Sequence, residues 1–294
     1  MSLPTRPLGH TGHNSSILAF GAFGLSFLSH AEATAAVEDA LARGVNHFDV
    51  APSYGDAEDK LGPAVAHYRE AMFLACKTRE RSRDRARAEL HRSLERLRTD
   101  HFDLYQCHAI SDALDLERLL GPGGAIEAMD EARRAGLIRC IGITGHHCAV
   151  LQQALERYPF ATVMFPLNPT QAADPRPASD YRPLLATAIA RGVGTIAIKA
   201  TARGPWPNGT PPRFTTWYEP FEDPEDVVER MRFTLSHPVA TSVMPGDLRL
   251  WPAIFEAAER FEPMSAAAID ALIAGAHGAA PLYVESMKLA LPAY

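Results

Sequence analysis

Short apolar runs alternate along this chain with longer stretches in which apolar residues recur every three or four positions. The short runs read as buried strands and the periodic stretches as amphipathic helices. Arg6 to Gly12 and the segment after it predict a short hairpin turning at His10-Thr11-Gly12. Ile17 to Gly21 predicts a first strand. Ala31 to Arg43 predicts a helix with Ala36, Val37, Ala40 and Leu41 on one face, stopped by Gly44. Then come strand His47 to Val50, helix Asp56 to Tyr68, strand Met72 to Cys76, helix Asp84 to Leu97 with its Leu90, Leu94 and Leu97 stripe, strand Phe102 to Cys107 and helix Gly124 to Ala135. The second half predicts strand Ile138 to Ile143, helix Ala149 to Arg157, strand Thr162 to Phe165, helix Asp180 to Arg191 and strand Gly194 to Ile198. Helix Glu225 to Leu235, strand Ala240 to Met244, helix Leu250 to Phe261 and two further helical stretches within Met264 to Leu291 complete the chain.

Alternating strand–helix units imply a parallel sheet covered by helices. Eight such pairs favour a closed (β/α)8 TIM barrel, with an N-terminal β-hairpin and extra C-terminal helices, over an open doubly wound sheet. No low-complexity linker interrupts residues 1–294, so one barrel domain is expected. The Pro- and Gly-rich loop from Lys199 to Asp223 is longer than a plain connection and reads as a lid or binding loop.

Composition narrows the function classes. The 294 residues are 47% hydrophobic and 22% charged, ordinary for a globular protein. Lys and Arg number 29 against 35 Asp and Glu, a net charge of −6, with no long basic run. Binding to nucleic acid or to an anionic membrane is disfavoured. The N-terminal MSLPTRPLGHTGHNSS has no apolar signal core and no stretch is long and apolar enough to span a membrane, so a cytoplasmic protein is expected. Cys76, Cys107, Cys140 and Cys148 show no CxxC spacing and read as packed, reduced thiols.

The chemistry concentrates in GVNHFDVAPSYGDAEDKLG, Gly44 to Gly62. It places Asp49 at the end of the second strand and Tyr54 in the loop beyond. AMFLACK delivers Lys77 from the third strand, and FDLYQCH delivers His108 from the fourth. Singly, each has a bland reading: a helix-capping Asp, a packed loop Tyr, a solvated Lys, a core His. Their shared position matters, because the carboxyl ends of barrel strands carry the chemistry. Hydride addition to a carbonyl builds an alkoxide that needs a proton. A phenol with pKa about 10 is a reluctant acid, and an ammonium beside it lowers that pKa. Lys77 can supply the ammonium, Asp49 can hold it charged, and His108 can orient the carbonyl oxygen. No metal is needed. His146-His147-Cys148 and Cys107-His108 match no zinc spacing, and adjacent strand residues point apart. The same alternation turns Cys76 and Cys107 toward the helices.

GVNHFDVAPSYGDAEDKLG, LACKTRE, DLYQCHAI, IGITGHH, PLNP and VMPG, in this order, resemble the aldo-keto reductase superfamily, in its bacterial type. RPLGHTGHNSSILAFGAFGLS resembles its opening hairpin and first strand, and the likeness runs over residues 5 to 246. The resemblance implies an (α/β)8 barrel that reduces aldehyde or ketone carbonyls of small molecules with NADP(H), NAD(H) being the alternative. It implies Tyr54 as proton donor and Asp49, Lys77 and His108 as the other members of a catalytic tetrad. It sets Thr144 and Asn168 near the nicotinamide carboxamide. The chain departs from the family with Gly145 where Asn is usual, Met164 where Gln is common, and Lys199 where an aromatic often stacks. Lys199 to Gly204 and Pro245 to Arg249, including Gly246, would hold the pyrophosphate and adenosine end. In PGDLRLWPAIFEAAE, Arg249 can bind a 2′-phosphate, Asp247 would repel one, and the usual Glu-Asn pair is absent. Phe23, Trp206, Trp217 and Tyr218, in loops at the catalytic end, are expected to shape the substrate pocket. A non-catalytic, nucleotide-binding regulatory protein of the same family is the competing reading, and the intact tetrad argues against it. A metal-dependent hydrolase on the same barrel would need a His-x-His near the first strand, which is lacking. The oligomeric state is left open.

Overall fold

Two apolar clusters, separated by the wall of a barrel, organise this chain. The computed structural model describes residues 3–174, 176–209, 211–280 and 282. An antiparallel hairpin opens it, β1 (Thr5–Pro7) with β2 (Asn14–Ser16). The first half then runs β3 (Leu18–Gly21), α1 (His30–Ala42), β4 (His47–Asp49), α2 (Ala57–Tyr68), β5 (Phe73–Thr78), α3 (Arg83–Arg96), β6 (Phe102–Ile110), α4 (Ala113–Leu120) and α5 (Ala125–Arg134). The second half runs β7 (Ile138–Gly145), α6 (Cys148–Arg157), β8 (Thr162–Pro166), α7 (Pro169–Ala173), α8 (Tyr181–Ala190), β9 (Gly194–Ile198), β10 (Ala202–Gly204), β11 (Glu219–Pro220), α9 (Pro224–Leu235), β12 (Thr241–Val243), α10 (Trp251–Glu259) and α11 (Ala266–Gly275). Strands β3 to β9 and β12 pair in parallel and close into a barrel, with β12 joining β9 to β3.

Strand alternation decides which residues meet the lumen. Phe73, Ala75 and Lys77 on β5, and Leu104, Gln106 and His108 on β6, share that face. Phe73, Ala75 and Leu104 join Met164, Ile196, Ala240 and the hairpin's Leu8 in the inner apolar cluster. Leu74, Cys76, Tyr105 and Cys107 belong to the outer cluster, between strands and helices. Cys76 Sγ accordingly faces Glu58 of α2, and Cys107 faces Met129 of α5. All four cysteines are free. Helix starts are set by local chemistry. Ser29 opens α1 with a reciprocal capping box to Glu32, and Asp112, Asn168, Asp180 and Asp223 cap α4, α7, α8 and α9.

The expected barrel, hairpin and strand order are present, and several element ends move. β6 continues to Ile110, past the predicted end at Cys107, so His108 lies inside the strand rather than beyond it. Two short helices, α4 and α7, add to the predicted set, and the long loop holds the small β10–β11 ribbon. Of the two helical stretches predicted after Met264, α11 is present and the other lies outside the described residues. No helix among the described residues is long and apolar enough to cross a membrane.

Candidate active site

β4, β5 and β6 end side by side, with Asp49 in register with Ala75 and Lys77 in register with Gln106. Buried Lys77 donates its Nζ to Asp49 in an ion pair, to Tyr54 Oη over 3.1 Å and to Val50 O over 3.3 Å. Gln106 Nε2 donates to the other Asp49 oxygen over 3.0 Å. Gln106 fits because residue 142 is glycine: a Cβ there would lie 3.1 Å from Gln106 Cγ and 2.3 Å from Thr162 Oγ1.

Tyr54 is fixed by the turn after β4, where its N–H donates to Ala51 O over 3.0 Å, and by Ser26 Oγ, which donates to its carbonyl. Its ring stands edge-on to Phe23, His108 and Trp217, with centroids 5.4, 5.9 and 6.0 Å away. His108 is delivered by a bulge. The β6–β7 register shifts between Cys107 and Ile110, and Ala109 sits at φ 56 with its N–H donating to Thr144 Oγ1 over 2.9 Å. Bulges of this kind re-aim a side chain at a barrel rim. From the other side Arg81, paired with Asp115, donates to His108 O over 2.8 Å.

Burial sets the protonation states. It works against the Lys77 charge, but Asp49 and Tyr54 outweigh it and hold the ammonium well above its ordinary pKa. Burial pushes Asp49 above the usual carboxylate range despite Lys77 and Gln106. Tyr54 is also raised, because burial exceeds the opposing pull of Lys77. The expected lowering of the phenol pKa is therefore present as a force but not as the net result, and Tyr54 rests protonated at neutral pH. His108 is driven well below its ordinary value by burial, then by the charges of Lys77 and Arg79, and is neutral.

A cavity of about 100 Å³ opens over these groups. Tyr54, His108, Thr144, Met164, Lys199, Trp217, Phe23 and Gly246 line it, so most of the expected site residues converge. Five do not reach it, and of these Lys77 touches it only through Asp49 and Tyr54. Trp206 donates its indole N–H to Thr216 O over 2.9 Å and so anchors the loop that carries Trp217. The Asn168 side chain caps α7 and donates to Lys199 O over 3.0 Å. Gly204 belongs to β10. Arg249 lies toward solvent, stacked over Phe214 at 4.3 Å.

The match to a family model decides the kinship: the aldo/keto reductase family model fits residues 17–261. The chain belongs to the aldo/keto reductase family. It is 30% identical over 225 residues to L-galactose dehydrogenase of Arabidopsis thaliana, covering 71% of this chain and 69% of that protein. It is 33% identical over 159 residues to 6-dehydroglucose reductase of Novosphingobium aromaticivorans, covering 47% of this chain and 50% of the relative. The barrel superposes on the holo form of an aldo-keto reductase from Bacillus halodurans with TM-score 0.69 at 22% identity, covering 97% of this chain and 99% of that one, a likeness of fold. The named relatives are reductases and dehydrogenases, so this aldo-keto reductase is an oxidoreductase.

Three further features of this aldo-keto reductase bear on its ligands. Lys199 is buried at φ 63, and burial lowers its pKa to about 7. Its ammonium position lies 5.4 Å from the Trp217 ring and 5.1 Å from the Tyr218 ring. Asp247 is not held open against a phosphate. One of its oxygens accepts from Thr215 N over 2.8 Å and Arg249 Nη2 over 2.7 Å, the other from Arg249 Nε over 2.9 Å. Burial opposes the Asp247 charge, but Arg249 and backbone N–H groups outweigh it and lower its pKa. His146 also lines the cavity, a position to which the sequence assigns no role once its spacing is seen to match no metal site. The signal for it is alternation: His146 lies two residues past Thr144, across a glycine. A Cβ at Gly145 would stand 2.7 Å from Ile110 O, so no side chain fits between them. Among the described residues, no group of three or more His, Cys, Asp or Glu is disposed to hold a metal ion.

Proposed function

We propose that this aldo-keto reductase reduces aldehyde or ketone carbonyls of small molecules with a nicotinamide dinucleotide, Tyr54 giving the proton, and that the whole chain acts as one barrel domain. The observation that carries the reading is the buried Lys77 ammonium, held by Asp49 and 3.1 Å from Tyr54 Oη, under a cavity also lined by His108. The cavity walls suit a nicotinamide ring. They offer a Thr144 hydroxyl, the apolar Met164, the Lys199 side chain, and bare backbone at Gly21 and Gly246. Asn168 stands behind this wall, holding Lys199 O, and Gly204 and Arg249 would extend the same side toward the phosphates. A bound NADP(H) or NAD(H) supplies the hydride, or accepts it in alcohol oxidation.

The protein's part is to manage charge on the carbonyl oxygen. As negative charge grows there, Tyr54 Oη releases its proton to it, and the Lys77 ammonium stabilises the phenolate left behind. Asp49 and Gln106 keep Lys77 in place. A neutral His108 can hydrogen-bond the oxygen without competing for the proton, and fixed polar groups in a buried site act strongly on developing charge. Phe23 and Trp217 shield the oxygen from water. In the reverse direction the same phenolate takes the proton from an alcohol. A regulatory, non-catalytic role would leave this costly buried arrangement without a use. Fluorescence titration with NADPH and NADH, then a carbonyl panel on wild type and Tyr54→Phe, tests the reading. Failure of both nucleotides to support any carbonyl reduction would overturn it.

A further inference from the structure

We propose that His146 is a specificity-determining residue of this site and reads a hydroxyl group next to the substrate's carbonyl, an inference that rests on the carbonyl-reductase reading. The observation behind it is one ring nitrogen. His146 is 9% exposed, lines the cavity, and its Nε2 is buried with no hydrogen-bond partner among the described residues. Buried polar atoms nearly always find a partner, and an orphan on a ring that lines a cavity can gain one from a bound ligand when the ring turns toward it.

Among the other polar walls, His108 Nδ1 is also without a partner but belongs to the ring that serves the reacting oxygen, and the rest already have work. Asp49 is committed to Lys77 and Gln106. Thr144 Oγ1 accepts from Ala109 N, and Thr216 Oγ1 donates to Tyr218 O over 2.6 Å. Tyr54 and His108 serve the reacting oxygen. A plain aldehyde or ketone carries one polar atom, and those two residues suffice for it. An unmatched imidazole in the same chamber is explained by a substrate with a second polar group.

The surroundings favour a hydroxyl. Burial, then the charge of Lys199, holds the His146 imidazole well below its ordinary pKa, so it is neutral. A neutral imidazole has one N–H and one lone-pair nitrogen. A hydroxyl donates and accepts, and so pairs with either. A carboxylate only accepts and needs a cation, and the nearby Lys199 has its charge weakened by burial. His146 lines the same cavity of about 100 Å³ as His108 and Lys199, so the hydroxyl site borders the carbonyl site. A site built to pair a hydroxyl rejects the analogue that lacks it, because its own polar group is then left unpaired.

The test compares kcat/KM for propanal, glyceraldehyde and succinic semialdehyde, per free aldehyde, in wild type, His146→Phe, His146→Leu and His146→Gln. Nucleotide dissociation constants are measured for each protein. Wild type is expected to favour glyceraldehyde over propanal by roughly tenfold or more. His146→Phe and His146→Leu should collapse that ratio toward one without weakening nucleotide binding. His146→Gln, which restores a donor and an acceptor, should recover part of it. If His146→Phe does not fold, the Leu and Gln variants carry the comparison. The inference is overturned if wild type shows no preference or the ratio survives in the apolar variants. It is equally overturned if only the semialdehyde acid loses ground, or if nucleotide binding weakens and all substrates fall alike. A wild type that reduces none of the three with either nucleotide defeats the carbonyl-reductase reading first, and this inference with it.

Discussion

Ala109 gives its backbone N–H to the hydroxyl of Thr144 on the neighbouring strand, over 2.9 Å, and this bond holds a non-glycine residue at φ 56. The bulge that places His108 depends on it. Thr144→Val is expected to cost about 1–3 kcal/mol, the range for a part-buried donor left unpaired. Ala109→Gly, which accepts the left-handed backbone freely, should restore part of that loss in the double variant. Urea unfolding midpoints check both. Wild-type stability in Thr144→Val would show that the bulge is held by something else.

Tyr54→Phe should lose a factor of about 10²–10⁴ in turnover, the usual worth of general acid–base catalysis. Nucleotide affinity should stay close to wild type. Steady-state rates and a fluorescence titration read the two quantities separately. More than about a tenth of the wild-type rate remaining would remove the phenol from the proton-donor role.

Lys77→Met leaves Asp49 buried with only Gln106 to stabilise it. Breaking one partner of a buried ion pair typically costs about 3–5 kcal/mol, whereas an apolar replacement of both is often near neutral. Lys77→Met should therefore be poorly stable, and Lys77→Met with Asp49→Leu markedly more stable. Neither should reduce a carbonyl. Thermal unfolding of the two variants decides the matter, and a double variant no more stable than the single one contradicts the pairing.

Lys199 gives a stability signature against pH. Its folded pKa of about 7 lies below the ordinary lysine value of about 10.4. Between those values the unfolded chain binds the extra proton, so stability rises with pH by up to about 1.4 kcal/mol per unit from this group. Below pH 7 the folded protein carries the full cost of a buried charge. Lys199→Met should remove the rise and stabilise the protein most on the acid side. Unfolding free energies at pH 6, 7, 8 and 9 without nucleotide test this. Parallel curves for the two proteins would mean that Lys199 titrates as an exposed lysine does.

Preference between NADPH and NADH should be modest. Arg249 is largely exposed and already spends its guanidinium on Asp247 and on Arg213 O. Tenfold selectivity needs about 1.4 kcal/mol, and a solvent-screened pairing supplies roughly 0–1 kcal/mol. Arg249→Ala should weaken NADPH binding and spare NADH. Because Asp247 also holds Thr215 N, Asp247→Ser should shift both nucleotides by loosening the loop around Trp217. A preference on the order of a thousandfold, unmoved by Arg249→Ala, would locate the 2′-phosphate elsewhere.

The parts of this molecule legible in sequence are those written in local periodicity. Strand runs and leucine stripes announce the barrel, and the ends of three successive strands announce Asp49, Lys77 and His108. Tyr54 follows from its turn. What escaped depends on contacts between strands. The bulge at Ala109 exists because Thr144 is beside it, and neither residue is unusual in its own segment. His146 lines the cavity from just past Gly145, where a Cβ would stand 2.7 Å from Ile110 O on the neighbouring strand. Helices α4 and α7 span eight and five residues, too short for a periodic stripe. Trp206 and Trp217 look equivalent in the chain, yet one anchors the loop and the other lines the chamber. The sign of the Tyr54 shift was hidden for another reason: a neighbouring ammonium can be inferred from order along the chain, but depth of burial cannot.

Leu8 of the opening hairpin belongs to the same inner cluster as Met164, and Met164 is also a wall of the cavity. The hairpin thus works as a stopper whose inner tip helps to hold up the chamber floor. This makes the first residues of the chain a remote adjustment screw. A change of size at Leu8 would raise or lower the floor under the substrate without altering any group at the rim.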